Sequence, residues 1–215
     1  MKVLDDEQRA VARAIIAKYP HPRSAVLPLL FLVQSVEGHV TEAGMREVAD
    51  LLGLTPAEVL ATASFYTMLK KRPTGDYLIS VCRNITCTHL GARAVIAALE
   101  ERLGVGVGES TPDGRFTLEA AECLATCEGA PSLQINYEDF YAVSPEAALE
   151  LVDRLERGEP VRSVAGEVVK SHKEISYETA TTGLRGRAAH GARLAGGESP
   201  PPGMAPGHRP KVEGA

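Results

Sequence analysis

Basic charge, long apolar runs and targeting signals are all scarce in this 215-residue sequence. It has 23 lysines and arginines against 28 aspartates and glutamates, so its net charge is -5 and no basic block is present to bind nucleic acid. The longest apolar run, residues 25–33, is interrupted by Pro28 and is shorter than the ~20 residues that span a bilayer. Acidic residues follow the N-terminus almost at once, so we expect no secretory signal. We therefore expect a cytoplasmic protein with no nucleic-acid partner and no direct membrane insertion.

Cysteine is also scarce, and all 4 cysteines lie in two short motifs. Cys82 and Cys87 form a C-x4-C motif, and Cys123 and Cys127 form a C-x3-C motif. In a reducing compartment, clustered cysteines serve metals or redox chemistry more often than structural disulfides. Each pair follows an apolar run and precedes small or turn-forming residues, which is what a metal or iron–sulfur site requires of a folded scaffold. Four thiolates are the usual ligands of a 2Fe-2S cluster.

Other cysteine chemistries fit this spacing less well. Structural zinc sites also use four cysteines, but they usually contain C-x2-C motifs, and neither pair has that spacing. A thiol–disulfide oxidoreductase typically needs C-x-x-C and would leave the second pair without a role. Residues 87–91 (Cys-Thr-His-Leu-Gly) are similar to the first half of a Rieske motif, but no C-x-x-H exists to complete it. Histidine ligation is therefore rejected, while zinc binding and thiol exchange stay open as alternatives.

The apolar pattern changes near residue 72. Residues 1–72 show helical spacing, and residues 55–58 (Thr-Pro-Ala-Glu) form a capping box with proline at the first helical position. Residues 73–165 instead alternate strands and helices. The expected strands are 77–81, 116–120, 132–136 and 140–143, and the expected helices are 88–103 and 144–157. We predict an α/β fold in which an N-terminal helical bundle precedes a thioredoxin-like mixed four-stranded sheet with flanking helices.

The C-terminal segment, residues 166–215, differs from both of these regions. From residue 171 onward it contains eight glycines and five prolines, and large apolar side chains are few. Such a segment buries too little surface to offset the entropy of ordering it. We therefore predict an extended or disordered tail, which is either solvated or lies over a partner.

The predicted topology places both cysteine pairs after the carboxyl ends of neighbouring parallel strands, where such sheets carry their chemistry. Cys87 would lie at the N-terminus of the helix from residue 88, and the loop from Cys123 would supply backbone donors to the sulfurs. Residues 104–108 are rich in glycine but follow a helix, so we interpret them as a connector and predict no nucleotide site on this chain.

Two further positions carry expectations. Pro131 precedes the third strand, where thioredoxin-like folds often contain a cis proline, so we predict a cis Ala130–Pro131 bond. Phe65 and Tyr66 are aromatic residues of a kind more typical of a core than of a contact surface. If they are exposed instead, they mark a surface for a partner.

Taken together, these residues resemble the thioredoxin-like 2Fe-2S subunit of the NADH dehydrogenase module of respiratory complex I. The resemblance covers roughly residues 5–165. It rests on the two cysteine motifs and on the segments 64–66 (Ser-Phe-Tyr), 73–75 (Pro-Thr-Gly), 127–131 (Cys-Glu-Gly-Ala-Pro) and 134–136 (Gln-Ile-Asn). The same family includes subunits of NAD-reducing hydrogenases and NAD-dependent formate dehydrogenases.

This resemblance implies an electron-transfer subunit that binds one 2Fe-2S cluster through Cys82, Cys87, Cys123 and Cys127. The cluster would exchange single electrons with FMN on a partner subunit that also carries NADH and a 4Fe-4S cluster. Through that partner and other peripheral-arm subunits, the chain would lie at the inner face of the membrane within a quinone-reducing enzyme, without being catalytic alone. The alternatives are an equivalent hydrogenase or formate dehydrogenase subunit and a stand-alone thioredoxin-like ferredoxin.

Overall fold

The computed structural model describes residues 3–183, which form eight α-helices and four strands. The first unit comprises residues 3–78, 110–117 and 170–183 of this range, and the second comprises residues 79–109 and 118–169. In chain order the elements are α1 Asp6–Ile16, α2 Val26–Glu37, α3 Glu42–Leu52, α4 Pro56–Phe65, β1 Tyr77–Cys82, α5 Ile85–His89, α6 Ala92–Leu103, β2 Phe116–Ala121, β3 Leu133–Ile135, β4 Glu138–Phe140, α7 Pro145–Glu156 and α8 His172–Thr182.

The first unit is a helical bundle built around α2. This helix is buried over most of its length, as expected of a helix that is apolar on nearly every side, and α1, α3, α4 and α8 pack against it. Helix starts follow the sequence signals: Thr41 caps α3, and Thr55 forms a capping box with Glu58 at the start of α4. The predicted N-terminal helical bundle is therefore confirmed.

The helices α2 and α3 cross at close range. A β-carbon placed on Gly44 of α3 would lie 2.3 Å from Val33 Cγ1 of α2. Because Val33 is fully buried, its side chain has little room to move away. Glycine at position 44 therefore sets the distance between these two helices.

Within residues 3–183, no single helix is long and apolar enough to cross a membrane. The helices α3 and α4 meet those criteria only as a pair, and they are bent by 119° where they join. Buried residues of both, including Val48 and Val59, belong to the core of the bundle.

Only the first part of the predicted tail is described, and residues 172–182 are helical there. They form α8, which begins at a capping box between Ser171 and Glu174 and packs along α2. The buried amide of Gln34 in α2 donates a hydrogen bond to Ser176 Oγ of α8 at 3.1 Å. The prediction was wrong for residues 172–182 because most of the glycine and all of the proline in the segment lie beyond residue 183. Residues 184–215, the rest of the predicted tail, lie outside the described residues.

The sheet has the strand order β2-β1-β3-β4. Backbone hydrogen bonds from Tyr77 N to Arg115 O and from Arg83 N to Ala121 O advance in the same direction along both segments, so β1 and β2 are parallel. The strand β3 is antiparallel to β1, and β4 is antiparallel to β3. The predicted mixed four-stranded sheet is therefore confirmed.

Two element predictions were wrong in detail. The expected helix 88–103 is two helices, α5 and α6, because Gly91 adopts a φ of 105° between them. The last strand is β4 rather than 140–143, because the chain turns at Asn136 and Tyr137, whose φ values of 48° and 70° make a two-residue hairpin turn. The final helix of the sheet domain, α7, is capped by Ser144, the first residue of the predicted helical range.

Candidate metal centre

Both cysteine pairs lie at the carboxyl ends of the parallel strands, as predicted. Cys82 is the last residue of β1, and its backbone N–H donates to Ser132 O at 3.1 Å. Cys123 follows the end of β2 by two residues. Because Arg83 N–H donates to Ala121 O at 2.9 Å, the two cysteine loops leave the sheet side by side.

The four thiols divide into a buried pair and an exposed pair. Cys82 and Cys87 are 4% and 2% exposed, whereas Cys123 and Cys127 lie at the surface. Cys87 is inside α5, which Asn84 caps, so the prediction that it starts a helix from residue 88 was wrong. The turn of α5 folds Cys87 back toward the sheet, which explains its burial.

A directed chain of hydrogen bonds connects the two loops. Thr126 Oγ1 donates to Ser132 Oγ at 2.7 Å, and Ser132 Oγ lies 3.6 Å from Cys87 Sγ. The Cys87 thiol in turn bonds to the sulfur of Cys82. A second link is direct, since the backbone N–H of Leu124 donates to the Cys82 sulfur. Residues from both motifs therefore meet around the two buried sulfurs.

These contacts make the two buried thiols unequal. Burial raises the pKa of the Cys82 thiol, but N–H groups of Asn84 and Leu124 and the Cys87 thiol donate to its sulfur and together bring its pKa below the ordinary value. Burial raises the pKa of Cys87, and the neighbouring Cys82 sulfur raises it further, against hydrogen bonds from Ser132. Cys82 is therefore the more readily ionised of the two.

The loop that contains Cys123 and Cys127 has a constrained backbone. Ala125 has a φ of 59°, and its N–H donates to Cys123 Sγ at 3.4 Å, so this loop supplies sulfur donors as predicted. The Tyr141 ring packs directly over Gly129, where a β-carbon would lie 2.1 Å from it. The Ala130–Pro131 bond that follows is cis, which confirms that prediction.

Charged side chains lie at the surface beside the two cysteine loops. Arg83, which follows Cys82, forms an ion pair with Glu122, which precedes Cys123, so the pair bridges the two loops. Both side chains are more than half exposed, and such surface pairs contribute no more than about 1 kcal/mol. His89 is exposed at the end of α5.

The chemistry of this donor set fits an iron–sulfur cluster. Four thiols come from two adjacent loops, and backbone N–H groups already donate to three of the sulfurs, as they do to the sulfurs of such centres. The buried pair is in contact, whereas the exposed pair faces outward. In the part of the chain that the structure describes, no three His, Cys, Asp or Glu side chains surround one point closely enough to hold a metal ion.

Two polar residues of this site were not predicted from the sequence. Ser132 and Thr126 carry the hydrogen-bond chain to Cys87, and both are buried. The only sequence signal for Thr126 is its position beside Cys127. No local pattern identifies Ser132, because its contact with Cys87 spans 45 residues.

Comparison with known proteins relates this chain to a family of iron–sulfur proteins. Residues 12–156 match the family described as thioredoxin-like [2Fe-2S] ferredoxin. An NADH-quinone oxidoreductase subunit from Mycobacterium tuberculosis (strain ATCC 25618 / H37Rv) is 48% identical over 165 residues, which are 77% of this chain and 66% of that protein. NADH-quinone oxidoreductase subunit 2 of Thermus thermophilus is 41% identical over 152 residues, which are 70% of this chain and 83% of that protein. This chain thus spans just under two thirds of the mycobacterial relative.

A solved structure shares the fold. The NAD+-reducing [NiFe]-hydrogenase in the H2-reduced state gives a TM-score of 0.56 at 23% identity, and the match covers 63% of this chain and 22% of that one. At this identity the likeness concerns the fold alone. The family match and the relatives confirm the resemblance read from the cysteine motifs, and the chain belongs to the thioredoxin-like [2Fe-2S] ferredoxin family.

Proposed function

We propose that this chain is the electron-transfer subunit of an NADH-oxidising, quinone-reducing complex, and that Cys82, Cys87, Cys123 and Cys127 hold its single 2Fe-2S cluster. The observation that carries this proposal is the hydrogen-bonded meeting of the two cysteine loops at the ends of β1 and β2. The names of the relatives, which are subunits of NADH-quinone oxidoreductase, support the choice of complex.

A 2Fe-2S cluster carries one electron at a time, and this chain's own residues control access to it. Burial of Cys82 and Cys87 keeps water from two of the proposed ligands. Exposure of Cys123 and Cys127 leaves the other two open to a partner. We expect that partner to be a subunit with FMN, the NADH site and a 4Fe-4S cluster, so that the chain exchanges electrons without oxidising NADH itself.

The end of α4 offers a surface for that partner. Phe65 is 78% exposed, and Tyr66 is 43% exposed. Their two rings meet edge-on, with their centroids 5.1 Å apart. Leu60, also on α4, is exposed as well. Aromatic side chains are enriched at protein interfaces, and a free electron carrier would not need a helical bundle that presents them. We expect the whole assembly to hold this chain at the cytoplasmic face of the membrane.

The relatives favour a quinone-reducing complex over a hydrogenase. The two NADH-quinone oxidoreductase subunits are 48% and 41% identical to this chain, whereas the hydrogenase likeness is at 23% identity. Genes next to the one that encodes this chain provide a separate check. Quinone-reductase subunits there support this host, and hydrogenase or formate dehydrogenase subunits there contradict it.

Co-expression with the flavin subunit from the same genome tests the electron transfer. We expect NADH to reduce the cluster of this chain only when the flavin subunit is present. EPR measures this reduction. Lack of reduction in the assembled pair would contradict the proposal.

The proposed docking surface has a matched test. Tyr66→Ser should weaken co-purification with the flavin subunit, because it removes half of the exposed aromatic pair. Tyr19→Ser serves as the control, since Tyr19 is exposed to a similar extent, 38% against 43%, but follows α1 instead of α4. Equal binding by both variants would remove the α4 surface from the interface.

A further inference from the structure

We propose that Ser132 raises the reduction potential of the cluster by donating a hydrogen bond from its hydroxyl to the Cys87 sulfur, and that Thr126 holds this hydroxyl in its donating orientation. The inference rests on the proposed function, since it requires Cys87 to be a cluster ligand. It makes Ser132 and Thr126 positioning residues, neither of which is a ligand.

The three groups form a buried, water-excluded row. Ser132 and Cys87 are each 2% exposed, and Thr126 is 9% exposed. The distance from Thr126 Oγ1 to Ser132 Oγ is 2.7 Å, and the distance from Ser132 Oγ to Cys87 Sγ is 3.6 Å. Because bulk water does not compete for these atoms, each hydrogen bond acts on the sulfur at close to its full strength.

The direction of the bonds follows from the number of protons. A hydroxyl has one proton, and Ser132 Oγ already accepts the proton of Thr126, so its own proton is left for the Cys87 sulfur. A metal-bound cysteine sulfur is a thiolate and can only accept. The backbone N–H of Ser132 also bonds to this sulfur, and the Ser132 carbonyl accepts from Cys82 N–H. The residue is therefore fixed at three atoms, and its hydroxyl cannot easily turn away.

A donor aimed at a ligand sulfur favours the reduced cluster. One-electron reduction places additional negative charge on the iron and its sulfurs, and a hydrogen bond stabilises this charge more than it stabilises the oxidised form. Loss of the hydroxyl should therefore lower the potential. We expect about a tenfold change in the ratio of reduced to oxidised cluster at a fixed ambient potential, which is ~59 mV for a one-electron couple.

Redox titration followed by EPR on the purified chain measures this shift. Ser132→Ala should lower the potential, Thr126→Val should lower it by a smaller amount, and Ser132→Thr should restore it because the hydroxyl is kept. Ser163→Ala is the matched control. Ser163 is 3% exposed, and its hydroxyl has no hydrogen-bond partner within the described residues, so its loss should leave the potential unchanged.

Iron and sulfide content, measured on the same samples, separates the outcomes. An unchanged potential in a fully loaded Ser132→Ala variant would overturn this inference and leave the proposed function intact. If Ser132→Ala fails to assemble a cluster, Thr126→Val decides, and an unchanged potential there would overturn the inference. A wild-type chain without a 2Fe-2S spectrum would instead overturn the proposed function.

Discussion

Acid should destabilise the helical bundle through one buried side chain, His172. This residue begins α8 and is 1% exposed. Burial, and to a smaller extent the charge of Lys70, lowers its pKa to about 4. A histidine in an unfolded chain has a pKa of ~6.5. Between these two values the unfolded chain binds a proton that the folded chain does not, so stability falls as the pH falls.

The size of this effect follows from the two pKa values. A pKa difference of about 2.5 corresponds to ~3.4 kcal/mol once the pH is below both values. At pH 5 the unfolded histidine is almost fully protonated and the folded one is mostly neutral, which gives a loss of about 2 kcal/mol. At pH 8 both states are neutral, and the contribution of His172 is close to zero.

Urea unfolding followed by circular dichroism, at steps between pH 8 and pH 5, measures this loss. The variant His172→Gln keeps the backbone N–H that donates to Asp76 O but cannot titrate. Other titrating groups affect both proteins equally, so the difference between them isolates His172. We expect wild type to lose about 2 kcal/mol more than the variant over this range. Parallel losses in the two proteins would refute the reasoning.

Three substitutions in the same bundle carry further predictions. Gly44→Ala should lower the free energy of unfolding by about 1–3 kcal/mol because of its clash with Val33, and Val33→Ala in that background should destabilise less than it does in wild type. Gln34→Leu should cost about 3 kcal/mol, because one buried amide bonds two backbone groups and the Ser176 hydroxyl. Ser171→Ala should lower the melting temperature through loss of ~1 kcal/mol of capping, and Ser171→Thr should retain it.

Local chemistry explains which elements of the fold were predictable. The cap at Thr55 depends on neighbouring residues, and the strands that end in Cys82 and Ala121 depend on apolar runs. All three lie close to their predicted positions. The helix α8 was missed because composition was averaged over a long segment, although Ser171-x-x-Glu174 is a capping box that was available to find it. The hairpin at Asn136 required two left-handed residues, neither of which is glycine.

The parts of the candidate site also differ in whether the sequence predicts them. The cysteine motifs were readable from spacing, and the family from its resemblance in those motifs and the segments around them. The neighbouring parallel strands followed from topology rules, but the full strand order was not predicted. The burial of Cys87 and its contact with Ser132 depend on how α5 folds back on the sheet, which residue spacing does not determine. The exposure of Phe65 also depends on tertiary packing, because an aromatic residue in this sequence context is more typical of a core position.

Iron and acid-labile sulfide analysis of the purified chain, combined with EPR after reduction, tests the proposed cluster most directly. We expect about two iron and two sulfide per chain and the spectrum of a reduced 2Fe-2S centre. Replacing Cys82, Cys87, Cys123 or Cys127 with serine should abolish or distort that spectrum. A colourless chain that contains zinc and no sulfide would contradict the cluster, and an unchanged spectrum in any one variant would remove that cysteine from the ligands.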